Sequence, residues 1–358
     1  MDNTHVYKYS DGKAKMHVES WDEFSQINSE LDNLIQKLWE DAKLLNVFRY
    51  TIEYLETKVI TGNYNFVIQN CNRAFERRAP QSFPNMHQNF NDNKFNFTKI
   101  KPQEVLFKFL HTKGDDLDEE NYIIINASPL EYGNILFVPK LYDKLPQILT
   151  YDAIQLCLKF MVSSHNITLR MAYNSQLASA SVNHLHIHAY YLRWNLSTEN
   201  MKLVPLVDTD TDTNGNNASQ ISYFVDFDYP ILGFAFVLKR LEDVQDVSGK
   251  IYSLTCYLES EDIPHNMFIT RGRDPESPNH AVAAYDCVRI YIWPRKPNFA
   301  SKCSVDINVA ACEISGHVLV KDDAHFRSID YSEMADILRQ YSFDRSFIDK
   351  VAQNVFFL

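Results

Sequence analysis

The apolar positions of this chain repeat with two periods. Phe24, Ile27, Leu31, Leu34, Ile35, Leu38 and Leu45 recur at helical spacing behind Ser20-Trp21-Asp22-Glu23, a capping box with a hydroxyl at the N-cap and Glu three residues on. This predicts an amphipathic helix over 21–45. Thr150 can cap a second helix whose apolar face is Ile154, Cys157, Leu158 and Met161. Further helical patterns cover roughly 240–258 and, as one or two helices, 332–352. Apolar runs bounded by turn formers predict strands at 104–110, 121–126, 133–140, 168–174 and 181–193. A second set lies at 221–226, 233–239, 266–271, 287–293 and 308–320. Residues 51–70 read as a hairpin turning at Gly62-Asn63. Polar loops follow at 77–94 and 111–120.

Mainly antiparallel strands with helices on one side make an α+β class. The polar stretch "DTDTDTNGNNASQ" (208–220) is the clearest break. It suits a surface loop between two halves, 1–207 and 221–358.

Composition narrows the functions. The chain is 45% hydrophobic and 23% charged, ordinary for a globular protein with a sizeable core. A net charge of −11 with no Lys/Arg cluster argues against nucleic acid or an anionic membrane as partner. A small anion can still bind at one local positive spot. The start, Met1-Asp2-Asn3-Thr4-His5, carries no basic and apolar leader, and no apolar run nears the ~18 residues of a membrane span. Cys71, Cys157, Cys256, Cys287, Cys303 and Cys312 are scattered without a CxxC pair, so reduced thiols and a cytoplasmic location are expected.

The stretch "SASVNHLHIHAYY" (179–191) holds three of the twelve histidines at strict alternation. On a strand, His184, His186 and His188 would share one face, with Leu185 and Ile187 on the other. A solvated face could carry them. A metal site is harder to build, because the first and third lie about 13 Å apart along a strand. It would need another donor, such as His265, His317 or His325. Nucleophilic attack on phosphorus needs a neutral, oriented imidazole. It also needs small neighbours that let backbone amides approach a phosphate, and "ASASVN" supplies them.

"SVNHLHIHAYY" resembles the signature of the histidine triad superfamily of nucleotidyl hydrolases and transferases. "NKFNFTKI" (93–100), "NASPLEYGNILFVPK" (126–140), "PHNMFITRG" (264–272) and "CEISGHVLV" (312–320) narrow the resemblance to its GDP-sugar phosphorylase branch. The blocks run from about residue 60 to 322. The resemblance implies two triad-like halves, each a helix-backed antiparallel sheet, only the first catalytic. It implies the reaction of a GDP-hexose with inorganic phosphate to give GDP and hexose 1-phosphate, with no cofactor or metal and with a homodimer left open. It makes His186 the nucleophile and His184 the residue that fixes its position. Asn174 and Ser181 fall near positions that contact the α-phosphate. His188 stands where the transferase and plant phosphorylase branches commonly carry Gln.

Lys94, Lys99 and Lys140 border the matching blocks and could pair with diphosphate, or simply be solvated. Phe95 and Phe97 could wall the guanine ring, or be core. Arg271, Arg273 and Asp274 either approach the cleft or end a strand. A hydrolase releasing GMP and a GDP-L-galactose phosphorylase are the competing enzymes; a binding module with a relict triad is the non-enzymatic alternative. Glucose is the expected hexose, because the chain resembles the animal members.

Overall fold

Residues 151–163 illustrate how the chain organises itself. Thr150 Oγ1 accepts the Ala153 amide at 3.2 Å, closing the first turn. Behind it Ile154, Cys157, Leu158 and Met161 are wholly buried. The cap contributes about 1 kcal/mol, and burial of one such aliphatic side chain about 2 kcal/mol. Packing therefore outweighs capping in holding this helix against the sheet.

The computed structural model describes residues 4–19, 28–50, 55–71, 81, 83–110, 121–206, 222–276, 284–298 and 306–357. Within them the chain forms β1 (His5–Lys8), β2 (Val18–Glu19), α1 (Glu30–Leu44), β3 (Thr57–Ile60), β4 (Phe66–Asn70), β5 (Val105–Leu110), β6 (Asn121–Ile125) and β7 (Ile135–Val138). Next come α2 (Tyr151–Ser163), β8 (Leu169–Asn174), β9 (Ile187–Tyr191), β10 (Leu203–Pro205), β11 (Ser222–Val225), β12 (Phe234–Leu238) and α3 (Val244–Ser260). The chain continues through β13 (His265–Gly272), β14 (Ala284–Tyr285), β15 (Cys287–Pro294), α4 (Ala311–Ser315), β16 (His317–Val320), α5 (Asp323–Ser328), α6 (Tyr331–Arg339) and α7 (Arg345–Phe356).

The α+β class holds, with most strands antiparallel. The main sheet has 11 strands in the order β1-β5-β6-β7-β9-β8-β13-β15-β12-β11-β10. Its two wings repeat one topology. The succession β5, β6, β7, α2, β8, β9 is laid down as β5-β6-β7-β9-β8. The succession β10, β11, β12, α3, β13, β15 is laid down as β10-β11-β12-β15-β13, and β8 pairs with β13 to join the wings. The second series thus begins at Leu203, ahead of the polar break at 208–220, which lies outside the described residues.

One face of the sheet packs on α1, α2, α3 and α7 through a core that includes Ile35, Ile154, Leu185, Ile187, Ile251, Ile269 and Val351. The opposite face, with Tyr190, Phe268, Tyr291 and Trp293, packs on β4, β16, α4 and α6. β3, β4 and β16 form a separate three-stranded sheet, and β3–β4 is the hairpin expected around Gly62-Asn63.

Some expectations shift. The capping box at Ser20–Glu23 lies outside the described residues. The described first helix starts at Glu30, where Ser29 and Asp32 exchange side-chain-to-amide bonds of 3.1 and 2.8 Å. The strand expected at 308–320 is in fact α4 followed by β16. The apolar run of Val309 to Cys312 suits a strand, but Gly316 at φ 105° allows a helix to stop and a strand to start there. No helix of the described residues is long and apolar enough to cross a membrane.

Candidate active site

β9 lies between β7 and β8, with His188 opposite Leu136 on one side and Ala172 on the other. The ladder starts at Ile187, not at residue 181 as alternation predicts. The reason is Gln147. Continuing the β8–β9 register would pair Asn174 with His186. At that level the Gln147 side chain stands between the strands instead. Its Nε2 donates to Asn174 O at 3.0 Å and to His186 O at 3.1 Å. Its Oε1 accepts from His186 N at 2.9 Å. An inserted side-chain amide replaces a rung of the ladder. The alternation of faces survives, since Leu185 and Ile187 still enter the helix-side core.

His186 is buried. Its Nδ1 lies 2.8 Å from His184 O and 2.9 Å from Gln147 Oε1. The Phe97 ring packs against it at 5.0 Å and the His188 ring at 5.4 Å, both steeply inclined. His188 is half-buried beside it.

His184 anchors His186 through its backbone carbonyl; its own ring is engaged elsewhere. Its Nδ1 accepts the Phe97 amide at 3.1 Å, which puts the ring proton on Nε2. Phe90 and Phe97 enclose the ring at 5.1 and 5.5 Å. Burial pushes its pKa down to about 4, against a smaller opposing pull from the Leu141 carbonyl, so His184 is neutral at pH 7.

Asn174 Oδ1 accepts from Asn266 Nδ2 at 2.7 Å and from Ala311 N at 2.9 Å, tying the end of β8 to β13 and α4. Ser181 is half-buried and its carbonyl accepts the Gln81 amide at 3.1 Å. Leu177 and Ser179, in the small-residue loop before the histidines, adopt left-handed φ values of 59° and 74°. Such strain persists only where surroundings hold it, and Ser179 Oγ is tied to Val309 O at 2.8 Å. Asn183 stitches the loops together. Its Oδ1 accepts Gln147 N at 2.9 Å, and its Nδ2 donates to the Gln88 and Asn89 carbonyls at 2.9 and 3.0 Å.

Phe95 and Phe97 do not alternate along a strand, because Phe97–Lys99 is a 3-10 turn capped by Asn96. Their rings meet edge to face at 5.8 Å and so form no flat wall together. Lys99 Nζ donates to Lys94 O at 2.8 Å and also contacts Asp92 O. Lys140 Nζ is 3.2 Å from Asp152 Oδ2, at the first turn of α2. Arg271 is wholly buried and binds Met16 O and Ser164 O at 2.8 and 2.7 Å, so it fastens the N-terminal segment to the end of α2. The metal-donor candidates are dispersed. His317 Nε2 meets Gln69 Oε1 at 2.7 Å, and His325 bridges Asp306 and Glu333. Among the described residues no three His, Cys, Asp or Glu side chains cluster as a metal site would require.

The structure therefore gathers His184, His186, His188, Phe97 and Asn174, and adds Gln147, Asn183 and Asn266. The sequence offered little signal for these three, which are single amides in loops or at a strand start. The assembly presents one imidazole whose Nδ1 is held by two oxygens. That suits nucleophilic or general-base work by the other ring nitrogen.

Comparison with known proteins finds relatives along most of the chain. A model described as "GDPGP1-like, N-terminal domain" matches residues 30–190, and "GDPGP1-like, C-terminal domain" matches 204–358. The gap between them is the interval between β9 and β10. The chain is 31% identical to GDP-D-glucose phosphorylase 1 of Xenopus laevis, over 93% of this chain and 90% of that protein. It is 36% identical to the Homo sapiens protein of that name, over 84% and 76%. Against GDP-L-galactose phosphorylase 2 of Arabidopsis thaliana the identity is 28%, over 91% and 76%. The fold is shared with yeast Ap4A phosphorylase Apa2, with a TM-score of 0.59 at 14% identity, covering 88% of this chain and 98% of the other.

Proposed function

The chain belongs to the GDPGP1-like family, and from that premise we propose that it is a GDP-D-glucose phosphorylase acting through His186. The observation that carries the assignment of the nucleophile is the anchoring of the His186 Nδ1 edge by His184 O and Gln147 Oε1. That leaves Nε2 as the reacting atom.

In the first step the Nε2 lone pair attacks the α-phosphorus of GDP-glucose. The N–P bond forms as the bond to the bridging oxygen breaks, and its electron pair leaves with glucose 1-phosphate. In the second step an oxygen of inorganic phosphate attacks the same phosphorus. The N–P bond breaks and GDP departs. The imidazole returns unchanged, so the balance is GDP-glucose plus phosphate to GDP plus glucose 1-phosphate. A sugar phosphate is a weakly basic leaving group and needs little proton donation. His188, the neighbour of the reacting ring, therefore hydrogen-bonds phosphoryl oxygens and is secondary as an acid. Asn174 and Ser181 lie at the end of β8 and in the small-residue loop, where they border the α-phosphate. Phe97 both packs on the two histidines and faces the base. Lys99 and Lys140, engaged with loop carbonyls and Asp152, contribute only if they exchange those partners for diphosphate.

The repeated strand order supports two halves of common design. The first, through β9, carries the chemistry. In the second, β15 turns Cys287, Arg289, Tyr291 and Trp293 to the face that β9 gives His188, so it offers no imidazole. Free thiols at Cys71, Cys157, Cys256, Cys287 and Cys312 suit a cytoplasmic enzyme.

Incubating the purified protein with GDP-glucose, GDP-L-galactose, GDP-mannose and UDP-glucose, with and without phosphate, tests this reading. GDP that appears only with phosphate, fastest from GDP-glucose, is the expected result. GMP formed regardless of phosphate would make the protein a hydrolase instead. A preference for GDP-L-galactose would move it to the plant type of activity.

A further inference from the structure

We infer that Gln147 is a positioning residue that sets the tautomer of His186. All four hydrogen-bonding capacities of its side chain are used, and the three backbone partners leave no choice of role. The His186 backbone N–H can only donate, so the Gln147 atom 2.9 Å from it is the oxygen. The carbonyls of Asn174 and His186 can only accept, so the atom that meets them is the nitrogen. The amide's orientation is thus fixed by three backbone groups. That same oxygen lies 2.9 Å from His186 Nδ1, and the second neighbour of Nδ1, His184 O at 2.8 Å, is also an acceptor. Nδ1 must therefore carry the proton, and the neutral ring's lone pair is on Nε2.

Gln147 is itself immobilised. It is buried, its backbone N–H donates to Asn183 Oδ1 at 2.9 Å, and its backbone carbonyl accepts from Tyr173 Oη at 2.9 Å. Because it occupies the missing rung between Asn174 and His186, it couples the end of β8 to the reacting ring. Its role in turnover rests on the phosphorylase reading. When Nε2 takes the nucleotidyl group the ring becomes cationic, and the two oxygens at Nδ1–H stabilise that charge.

Histidine-selective 15N labelling of the full chain, with His186→Ala to assign the resonance, reads the tautomer without substrate. The wild type should show a protonated Nδ1 and an unprotonated Nε2 at His186. Gln147→Leu should show a mixture of tautomers. Gln147→Glu keeps an oxygen at Nδ1 but loses the donor to the Asn174 and His186 carbonyls, so it should hold the single tautomer while lowering the urea midpoint. In single turnover with GDP-glucose, Gln147→Leu should form the guanylyl-enzyme about 10- to 100-fold more slowly, the usual loss when the partner orienting an imidazole is removed. Wild-type His186 protonated on Nε2 would overturn the inference even if the Leu variant does not fold. So would a Leu variant with an unchanged spectrum and an unchanged guanylylation rate. Absence of turnover in the wild type would instead defeat the phosphorylase reading and leave the tautomer assignment standing.

Discussion

β9 and β15 occupy equivalent places in the two wings of the sheet, yet they use the same face in opposite ways. β15 fills it with packed side chains, of which Arg289 and Tyr291 bond to nearby backbone carbonyls. Arg289 donates to Met201 O and Arg273 O at 2.7 and 2.8 Å, Tyr291 Oη reaches Thr198 O, and Trp293 stacks on Tyr291 at 5.3 Å. β9 sets His188 there, with His184 and His186 in the segment that leads into it, and the ladder gives way to Gln147 at that point. One scaffold thus supports either a packed core or a cluster of histidines. The difference lies in whether loop residues intrude at the strand's start. Depressed basicity does not mark the site: burial lowers the pKa of His265 to about 4 and of His317 to about 3, as it does for His184. What separates His186 is its pair of oxygen partners at Nδ1.

The sharpest way to break this comparison is to exchange the burdens of the two strands. His186→Ala should lower kcat for GDP-glucose phosphorolysis on the order of 10,000-fold or more while leaving the urea midpoint near that of the wild type. An equal loss of stability and activity would mean that His186 is only core. Arg289→Met should do the reverse. It leaves the Met201 and Arg273 carbonyls buried without their donor, at a cost of about 3 kcal/mol in unfolding free energy. Turnover per folded molecule should be retained. A stable, inactive Arg289→Met would show that the second wing takes part in the chemistry.

A smaller effect sharpens the role within β9. His188→Gln should keep phosphorolysis within about 100-fold of wild type, the modest worth of one proton donor when the leaving group is weakly basic. Complete loss of turnover in a folded His188→Gln would contradict the leaving-group argument.

Much of this was legible in the sequence, for identifiable reasons. β5 to β8, β11 to β13 and β15 are apolar runs flanked by turn formers, and Thr150 announces α2 by its cap. The facing of His184, His186 and His188 was also readable, because alternation depends on the local backbone. The start of β9 was not, because it is set by Gln147, 39 residues earlier in the chain. The role of His184 was half-legible. The signature places it, but only the fold shows that its ring is turned to Phe97 N while its carbonyl holds His186. Lys99 and Lys140 border the matched blocks, and they bond to loop carbonyls and to Asp152 respectively, which sequence spacing cannot anticipate.

The central claim is that His186 carries the nucleotidyl group between two phosphate acceptors. It is tested most directly by mixing the enzyme with guanosine-labelled GDP-glucose in the absence of inorganic phosphate and isolating the protein. The account predicts acid-labile label on the wild type, released as GDP when phosphate is added, and none on His186→Ala. Label that persists undiminished on His186→Ala, or a wild type that turns over with phosphate yet never takes up label, would contradict it.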